Sequence, residues 1–322
     1  MKKCFFTIIM IITSVLFFSC EENLNPYGDF KEKYVLNFII RGDTTFQTAT
    51  LSKDYVVYNA DPYSNTDDHS VKGAIVRIWQ KDQVHFLRDT TIQRPEPTNY
   101  QTPYSVYYIN NFQPEENSKI DIEALFPNGK RLTSSSTVPS KVNFNYTLTD
   151  TIIPMPGKKI VSAFWATDKQ DIVTLPRLMI LYYTYSTGVK KLNKFIIPLS
   201  YLNIDNNLVP NYPTPSLMQG YTVDLATVNK SMELLSAGDP NKSGYEILVA
   251  IIEVYSFDTN LSLYYNSTAR SGDVYSIKLD ETDYSNINGG FGIFGIYMKS
   301  QWAIRFSNDF IKSFGYTPAF NY

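Results

Sequence analysis

Catalytic side chains are scarce in this sequence. Its 322 residues include two His and two Cys. A nucleophile–His–acid site must therefore use His69 or His85. His85 stands in the apolar run Val84-His85-Phe86-Leu87, which reads as a half-buried strand position rather than a proton shuttle. His69 follows Asp67-Asp68 in a polar stretch with no second His nearby, and neither an H-E-x-x-H nor a G-x-S-x-G motif occurs. Zinc-hydrolase and serine-hydrolase chemistry are thus not expected, and no catalytic residue, metal ligand or cofactor is assigned. Asp61, Asn65, Asp67 and Asp68 offer hard oxygen ligands, but their spacing is not that of a calcium loop, so a solvated loop is the preferred reading.

Two further patterns invite chemistry. Gly290-Phe291-Gly292-Ile293-Phe294-Gly295 spells G-x-G-x-x-G. Dinucleotide binding needs a strand before that motif and a helix opening on it. Here a β pattern follows instead, so the glycines are expected to form a tight bend where backbone meets backbone. Tyrosines cluster at Tyr104, Tyr107 and Tyr108, at Tyr182, Tyr183 and Tyr185, and at Tyr264 and Tyr265. Such rings can stack on sugars, but strand alternation with half-buried Tyr explains them as well. Acids that could serve glycoside hydrolysis abound, and no two stand out.

The elements that must position these residues are strands. Aromatics make up 15% of the chain and charged residues only 19%, a balance that favours packed β structure. A net charge of −2 leaves no basic footprint for nucleic acid. Alternating runs predict seven short strands at Tyr34–Ile40, Thr45–Leu51, Ala74–Trp79, Val84–Arg88, Ser105–Asn110, Lys119–Leu125 and Arg131–Thr137. Asn128-Gly129 reads as a two-residue hairpin turn between the last two. Seven strands at this spacing predict an immunoglobulin-like sandwich over residues 33–140. Thr147 to Lys159, with Pro154, Pro156 and Gly157, reads as a linker or long loop. Residues 141–322 are expected to form a larger β-rich domain. Its long apolar runs, Leu178 to Tyr185 and Glu246 to Phe257, resemble strands buried on both faces. Lys191–Leu199, Val274–Leu279 and Ile293–Phe306 add further strands. One helix is expected after Asp224, which can cap it, with the stripe Leu225, Val228, Met232 and Leu235 and a stop at Gly238 and Pro240. A short helix is expected at Asn308 to Phe314, and Asn207 to Ser216, with three prolines, reads as a loop. The fold class is therefore mainly all-β.

The N-terminus reads as a processing segment. Lys2 and Lys3 precede an apolar run that ends in Phe17-Phe18-Ser19-Cys20. The run has signal-peptide length and is short for a membrane span. Its end resembles a bacterial lipobox, with Leu16 one step earlier than usual. Residues 1–19 are then a lipoprotein signal peptide, Cys20 the lipidation site and 20–32 a lipid-anchored tether. Removal of Cys4 leaves one, lipid-bearing cysteine, so no intramolecular disulfide is expected. Glu21 and Glu22 resemble a surface-export signal. Asp43-Thr44-Thr45, Asp89-Thr90-Thr91 and Asp150-Thr151-Ile152 resemble an O-glycosylation motif, making Thr44, Thr90 and Thr151 candidate acceptors.

Several local motifs occur in order: Tyr55-Val56-Val57-Tyr58, Arg88-Asp89-Thr90-Thr91, Asn128-Gly129-Lys130-Arg131-Leu132, Tyr212-Pro213-Thr214-Pro215-Ser216, Gly238-Asp239-Pro240-Asn241-Lys242, Asp280-Glu281-Thr282-Asp283-Tyr284 and Gly289 to Gly295. With the lipoprotein start, this set resembles a Bacteroidota lipoprotein family whose domain has no assigned function. Members are often encoded beside TonB-dependent outer-membrane receptors. The resemblance implies an outer-membrane lipoprotein on the periplasmic or cell-surface face, partnered by such a receptor and acting as a non-enzymatic binding or accessory module. A surface glycan hydrolase using a carboxylate pair, and a structural or adhesive surface protein, are the alternatives. A convergent acid pair in a cleft favours the hydrolase. A broad exposed apolar patch favours the partner-binding module.

Overall fold

Alternation of apolar and polar residues drives the first half of the chain into strands that bury every second side chain. A computed structural model describes residues 32–54, 68–94, 103–169, 171–186, 188–269 and 284–320. The expected signal peptide and tether up to residue 31, Cys20, the Tyr55–Tyr58 motif, Asp61, Asn65, Asp67 and the strand expected at Val274–Leu279 lie outside these residues. Seven strands form where the sequence predicts them: β1 (Tyr34–Arg41), β2 (Gln47–Lys53), β3 (Ile75–Gln80), β4 (Gln83–Ile92), β5 (Tyr104–Ile109), β6 (Lys119–Leu125) and β7 (Arg131–Thr137). In β1, Tyr34, Leu36, Phe38 and Ile40 point inward. β1-β2-β5-β4 make one sheet and β3-β6-β7 the other, with β4 shared. Its first half pairs with β3 and its second half, from Arg88, with β5. That order is the immunoglobulin-like one. Between β6 and β7 the turn differs from expectation. Gly129 donates its N–H to Phe126 O and has φ +83°. The loop therefore has three residues, Pro127 to Gly129, with the glycine in the left-handed region rather than a two-residue turn.

The second half uses longer strands: β8 (Asn143–Phe144), β9 (Ile152–Ile153), β10 (Ile160–Ala166), β11 (Thr174–Ser186), β12 (Val189–Ile197), β13 (Ser200–Ile204), β14 (Asn207–Asn211), β15 (Gly220–Asp224), β16 (Tyr245–Phe257), β17 (Phe291–Phe306) and β18 (Thr317–Pro318). Three helices accompany them: α1 (Leu225–Leu234), α2 (Thr259–Ala269) and α3 (Asn308–Ser313). β12-β11-β16-β17 form a sheet whose inner face carries Leu178, Ile180, Ala250, Ile252, Val254 and Ile304. Against it pack Val228 and Met232 of α1 and the small sheet β15-β10-β8. The helix stripe is as expected, but Asp224, at the cap position, makes no capping hydrogen bond.

Two further expectations need correction. The proline-bearing stretch from Asn207 is not all loop. Asn207–Asn211 is β14, paired with β13 from Ile204↔Asn207 to Ser200↔Asn211. Asp205 and Asn206 both have positive φ, 50° and 63°, which builds a two-residue hairpin turn. Pro210 is tolerated because a two-stranded ribbon is all edge. Thr147 to Lys159 is not a free linker either, since buried Asp150 accepts hydrogen bonds from Lys158 Nζ (2.6 Å) and Ser162 N (2.8 Å).

The two halves share one strand. The first part of β17 pairs in parallel with β1, from Val35↔Phe291 to Arg41↔Tyr297. Its second part pairs antiparallel with β16. Phe294, Ile296 and Met298 belong to the first core, as does Ile287, while Ile304 and Phe306 belong to the second. Just upstream, Asn288 and Thr133 of β7 exchange backbone hydrogen bonds of 2.8 and 3.1 Å. The segment therefore bridges β7 and β1 across the open side of the sandwich. The glycine run makes this possible. Gly289 has φ +86°, and a Cβ there would lie 2.5 Å from Arg131 O. Gly292 has φ +113°, and its Cβ would press on Leu36 O. The run is not the tight bend expected: from Phe291 it is itself the start of β17, in close backbone contact with β1, and no helix opens on it as a nucleotide loop would require.

Candidate functional site

Period-two geometry sends the odd-numbered residues of β17 to the face opposite both cores. There Tyr297 and Lys299 join Ile39 and Arg41 of β1, Glu253 and Tyr255 of β16, and Leu175 and Arg177 of β11. Register sets these neighbours side by side: Arg41↔Tyr297, Tyr255↔Lys299, Arg177↔Glu253 and Glu253↔Gln301. α2 closes one end with Leu261 and Tyr265, and Lys194 of β12 stands at the rim. The result is a cleft of about 320 Å³ over the seam between the two halves.

Its polar groups form a network around Lys299. The ammonium lies 3.2 Å from Glu253 Oε1 and 3.7 Å from Asp43 Oδ2. Glu253 also accepts from Gln301 Nε2 at 2.6 Å and from the Tyr255 hydroxyl at 2.6 Å. Asp43 lies 3.3 Å from Arg41 Nε and accepts from the Tyr297 hydroxyl at 3.2 Å. Burial opposes ionisation of both acids. It is outweighed at Glu253 by Tyr255, Gln301 and Lys299, and at Asp43 by Arg41 and Lys299, so both carboxyls sit below their ordinary range. Tyr255 moves the other way, raised by burial and by donating to Glu253. Its ring faces Tyr297 edge-on at 5.4 Å and carries the Arg177 guanidinium 5.3 Å from its centroid.

The carboxylates of Asp43 and Glu253 share one ammonium and are at most about 7 Å apart, below the upper limit of the roughly 5–10 Å that glycoside hydrolysis uses. That chemistry also needs one of the pair to hold a proton near neutral pH. Here both are ionised, and neither has a proton to give.

The other candidate residues lie apart from this cleft. Thr44 is half-buried in the turn after β1, and its Oγ1 accepts from Phe46 N at 3.2 Å. Thr90 is half-buried in β4 opposite Val106, and Thr151 is exposed just before β9. His85 is half-buried with its ring edge-on to Phe112 at 5.0 Å. Asp68 is ion-paired with Arg94. Among the described residues, no three His, Cys, Asp or Glu gather as a metal would require. Of the tyrosine clusters, Tyr107 is buried and structural. It donates to Val71 O at 2.8 Å and accepts from Ala74 N at 3.1 Å. Tyr182 stacks on Tyr245, and only Tyr265 reaches the cleft. Tyr255 and Tyr297 escaped the sequence reading because only cross-strand register brings them together.

A second surface stands out. In the β13–β14 hairpin, Leu202, Ile204, Leu208 and Val209 are 39–50% exposed. Its base is tied down by Leu199 N to Asn211 O at 2.8 Å and by Tyr201 to Ser231 of α1 at 2.9 Å. Tyr212, Leu217 and Met218 are exposed in the segment that follows the hairpin.

No protein-family profile and no curated protein matches the chain. Among solved structures, the FN1–FN3 domains of chicken CNTN1 resemble it over 85% of this chain and 67% of that one, at 12% identity and a TM-score of 0.21. The class follows from the strand order: an all-β chain that opens with an immunoglobulin-like sandwich.

Proposed function

We propose that this chain is a non-enzymatic binding or accessory module, lipid-anchored at Cys20 to the outer membrane, that works beside a TonB-dependent receptor. The observation that carries the reading is the β13–β14 hairpin, whose apolar side chains stand in solvent on a ribbon fixed at its base. Leu202, Ile204 and Val209 share one face of the ribbon, and exposed apolar surface of this kind marks protein interaction sites. The lipobox-like start and the family resemblance support the membrane and the partner. The ionised state of Asp43 and Glu253 speaks against acid catalysis. Affinity purification of a tagged full chain from outer membranes in mild detergent should recover the receptor. Leu202→Ser combined with Val209→Ser, on the same face, should lose it. Repeated recovery of the chain alone, with crosslinking also giving no receptor, would overturn the proposal.

A further inference from the structure

The seam cleft is a separate surface from the hairpin, and its charges do not cancel. Asp43 and Glu253 are both neutralised from within, by Arg41 and Lys299. Arg177 and Lys194 line the same cleft, and among the described residues neither has an acidic partner. The cleft therefore carries uncompensated positive charge.

The geometry at Arg177 is specific. One face of its guanidinium lies over the Tyr255 ring, 5.3 Å from the centroid. A guanidinium held by its face keeps its edge N–H groups available, and that edge matches a carboxylate with two parallel hydrogen bonds. Arg177 also lines a second hollow of about 240 Å³, together with Leu175, Ile196, Tyr212 and Pro213. It thus stands between two concavities, the first walled mainly by polar and charged side chains and the second mainly by apolar ones. The larger, at about 320 Å³, falls at the small end of the roughly 300–1,000 Å³ typical of small-molecule sites.

The remaining groups narrow the ligand. Ionised Asp43 and Glu253 only accept hydrogen bonds; each already accepts three within the protein, which leaves about one lone pair apiece for a donor such as a hydroxyl. Tyr265 and Leu175 offer apolar surface to C–H faces. Hydroxyl acceptors, ring surface and a cationic fork together match a hydroxylated ring that bears a carboxylate.

We propose that the seam cleft binds an acidic saccharide, its carboxylate gripped by the edge of Arg177, its hydroxyls by Asp43 and Glu253, with Lys194 adding positive charge at the rim. No bond is made or broken. Hexuronate trimers (galacturonate, glucuronate and mannuronate) and their neutral methyl esters are the probes, titrated calorimetrically into the full chain in detergent. At least one acid trimer should bind, and its methyl ester should bind about tenfold more weakly or not at all, as the loss of a charge-assisted pair dictates. Arg177→Gln should weaken the acid trimer by about tenfold, and Lys194→Gln by less. Both side chains are exposed, so the melting temperature should stay unchanged and separate lost binding from lost fold. Failure of every acid trimer to bind better than its ester, or full binding by folded Arg177→Gln, would overturn the proposal. Receptor recovery by Arg177→Gln reads the partner proposal independently, because the hairpin is untouched.

Discussion

The seven strands of the sandwich have six to ten residues each, whereas the second core is framed by β11, β16 and β17, of thirteen to sixteen residues, with shorter strands beside them. In the first, most pairings join successive strands: β1–β2, β3–β4, β4–β5 and β6–β7. In the second, β11 waits for β16 and β16 for β17, across loops, a helix and a hairpin. Yet the locally built half is the one left incomplete by its own strands. Its inward positions on β7 are Leu132, Ser134 and Ser136, and the two serines bond outside the sandwich. Ser134 Oγ donates to Asn286 O at 2.7 Å, and Ser136 bonds the carboxyl of Asp258. Local order therefore does not amount to independence. The sandwich borrows a strand from the far end of the chain, and its polar inner edge is where the borrowed segment docks.

The sharpest way to break that arrangement is Gly292→Val. A β-branched residue cannot adopt φ +113° without strain, and its Cβ would strike Leu36 O. Strained backbone plus overlap should cost about 3 kcal/mol or more. Gly157 has a similar need for positive φ, +77°, but open space around it, so Gly157→Val should cost less, about 1–2 kcal/mol. Thermal melting of both variants checks this. Equal losses would mean that the β1–β17 contact adds nothing.

A gentler probe sits at the joint itself. Asp258 accepts from Leu261 N at 2.7 Å, capping α2, and from Ile296 N at 2.9 Å, besides Ser136. Burial outweighs these bonds and pushes its carboxyl up from 3.8 to about 6. The folded chain then holds this proton more tightly than the unfolded one. The stability it contributes is full below about 4 and is lost as pH rises through about 6. Stability should fall by roughly 2–3 kcal/mol between pH 4.5 and 7 from this group. Asp43 and Glu253 are shifted downward, so the stability they contribute is present above their ordinary values and is lost only as pH falls below them. Asp258→Asn keeps a cap and removes the titration, so denaturant curves across that window should flatten. A slope that persists in the variant would assign it elsewhere.

The smallest expected effect tests the second core. Tyr221 is buried, and its hydroxyl has no partner among the described residues. Its ionisation is pushed far upward by burial alone. Tyr221→Phe should stabilise by about 1 kcal/mol by deleting a desolvated, unbonded group. A loss of similar size would reveal a partner for that hydroxyl.

The same contrast governs what the sequence discloses. β1 to β7 are legible because alternation and turns act over a few residues. α1 is legible from the stripe Leu225, Val228, Met232 and Leu235. α2 was not, since Thr259-Asn260-Leu261-Ser262-Leu263-Tyr264-Tyr265 is rich in strand formers, and the Asp258 cap decides for a helix. β10 and β15 were missed because each is short and flanked by loops. β14 was missed because its proline argued against a strand. The cleft was least legible of all: Arg177, Glu253, Tyr255, Tyr297 and Lys299 are scattered through more than a hundred residues, and nothing local marks them. Only the serines inside β7 hinted that something polar from elsewhere must meet that edge.

The parallel pairing of β1 with β17 has a mechanical consequence. A pull on the chain ahead of Glu32 draws β1 along its own axis, while resistance from the second core holds β17 from its opposite end. The two strands are then loaded in shear. Every rung from Val35↔Phe291 to Arg41↔Tyr297 shares the force at once, instead of yielding singly as in an unzipping hairpin. On its other edge β1 is also held by β2. The first strand after the N-terminal segment is therefore placed as a force-bearing clamp, suited to a chain tugged from that end.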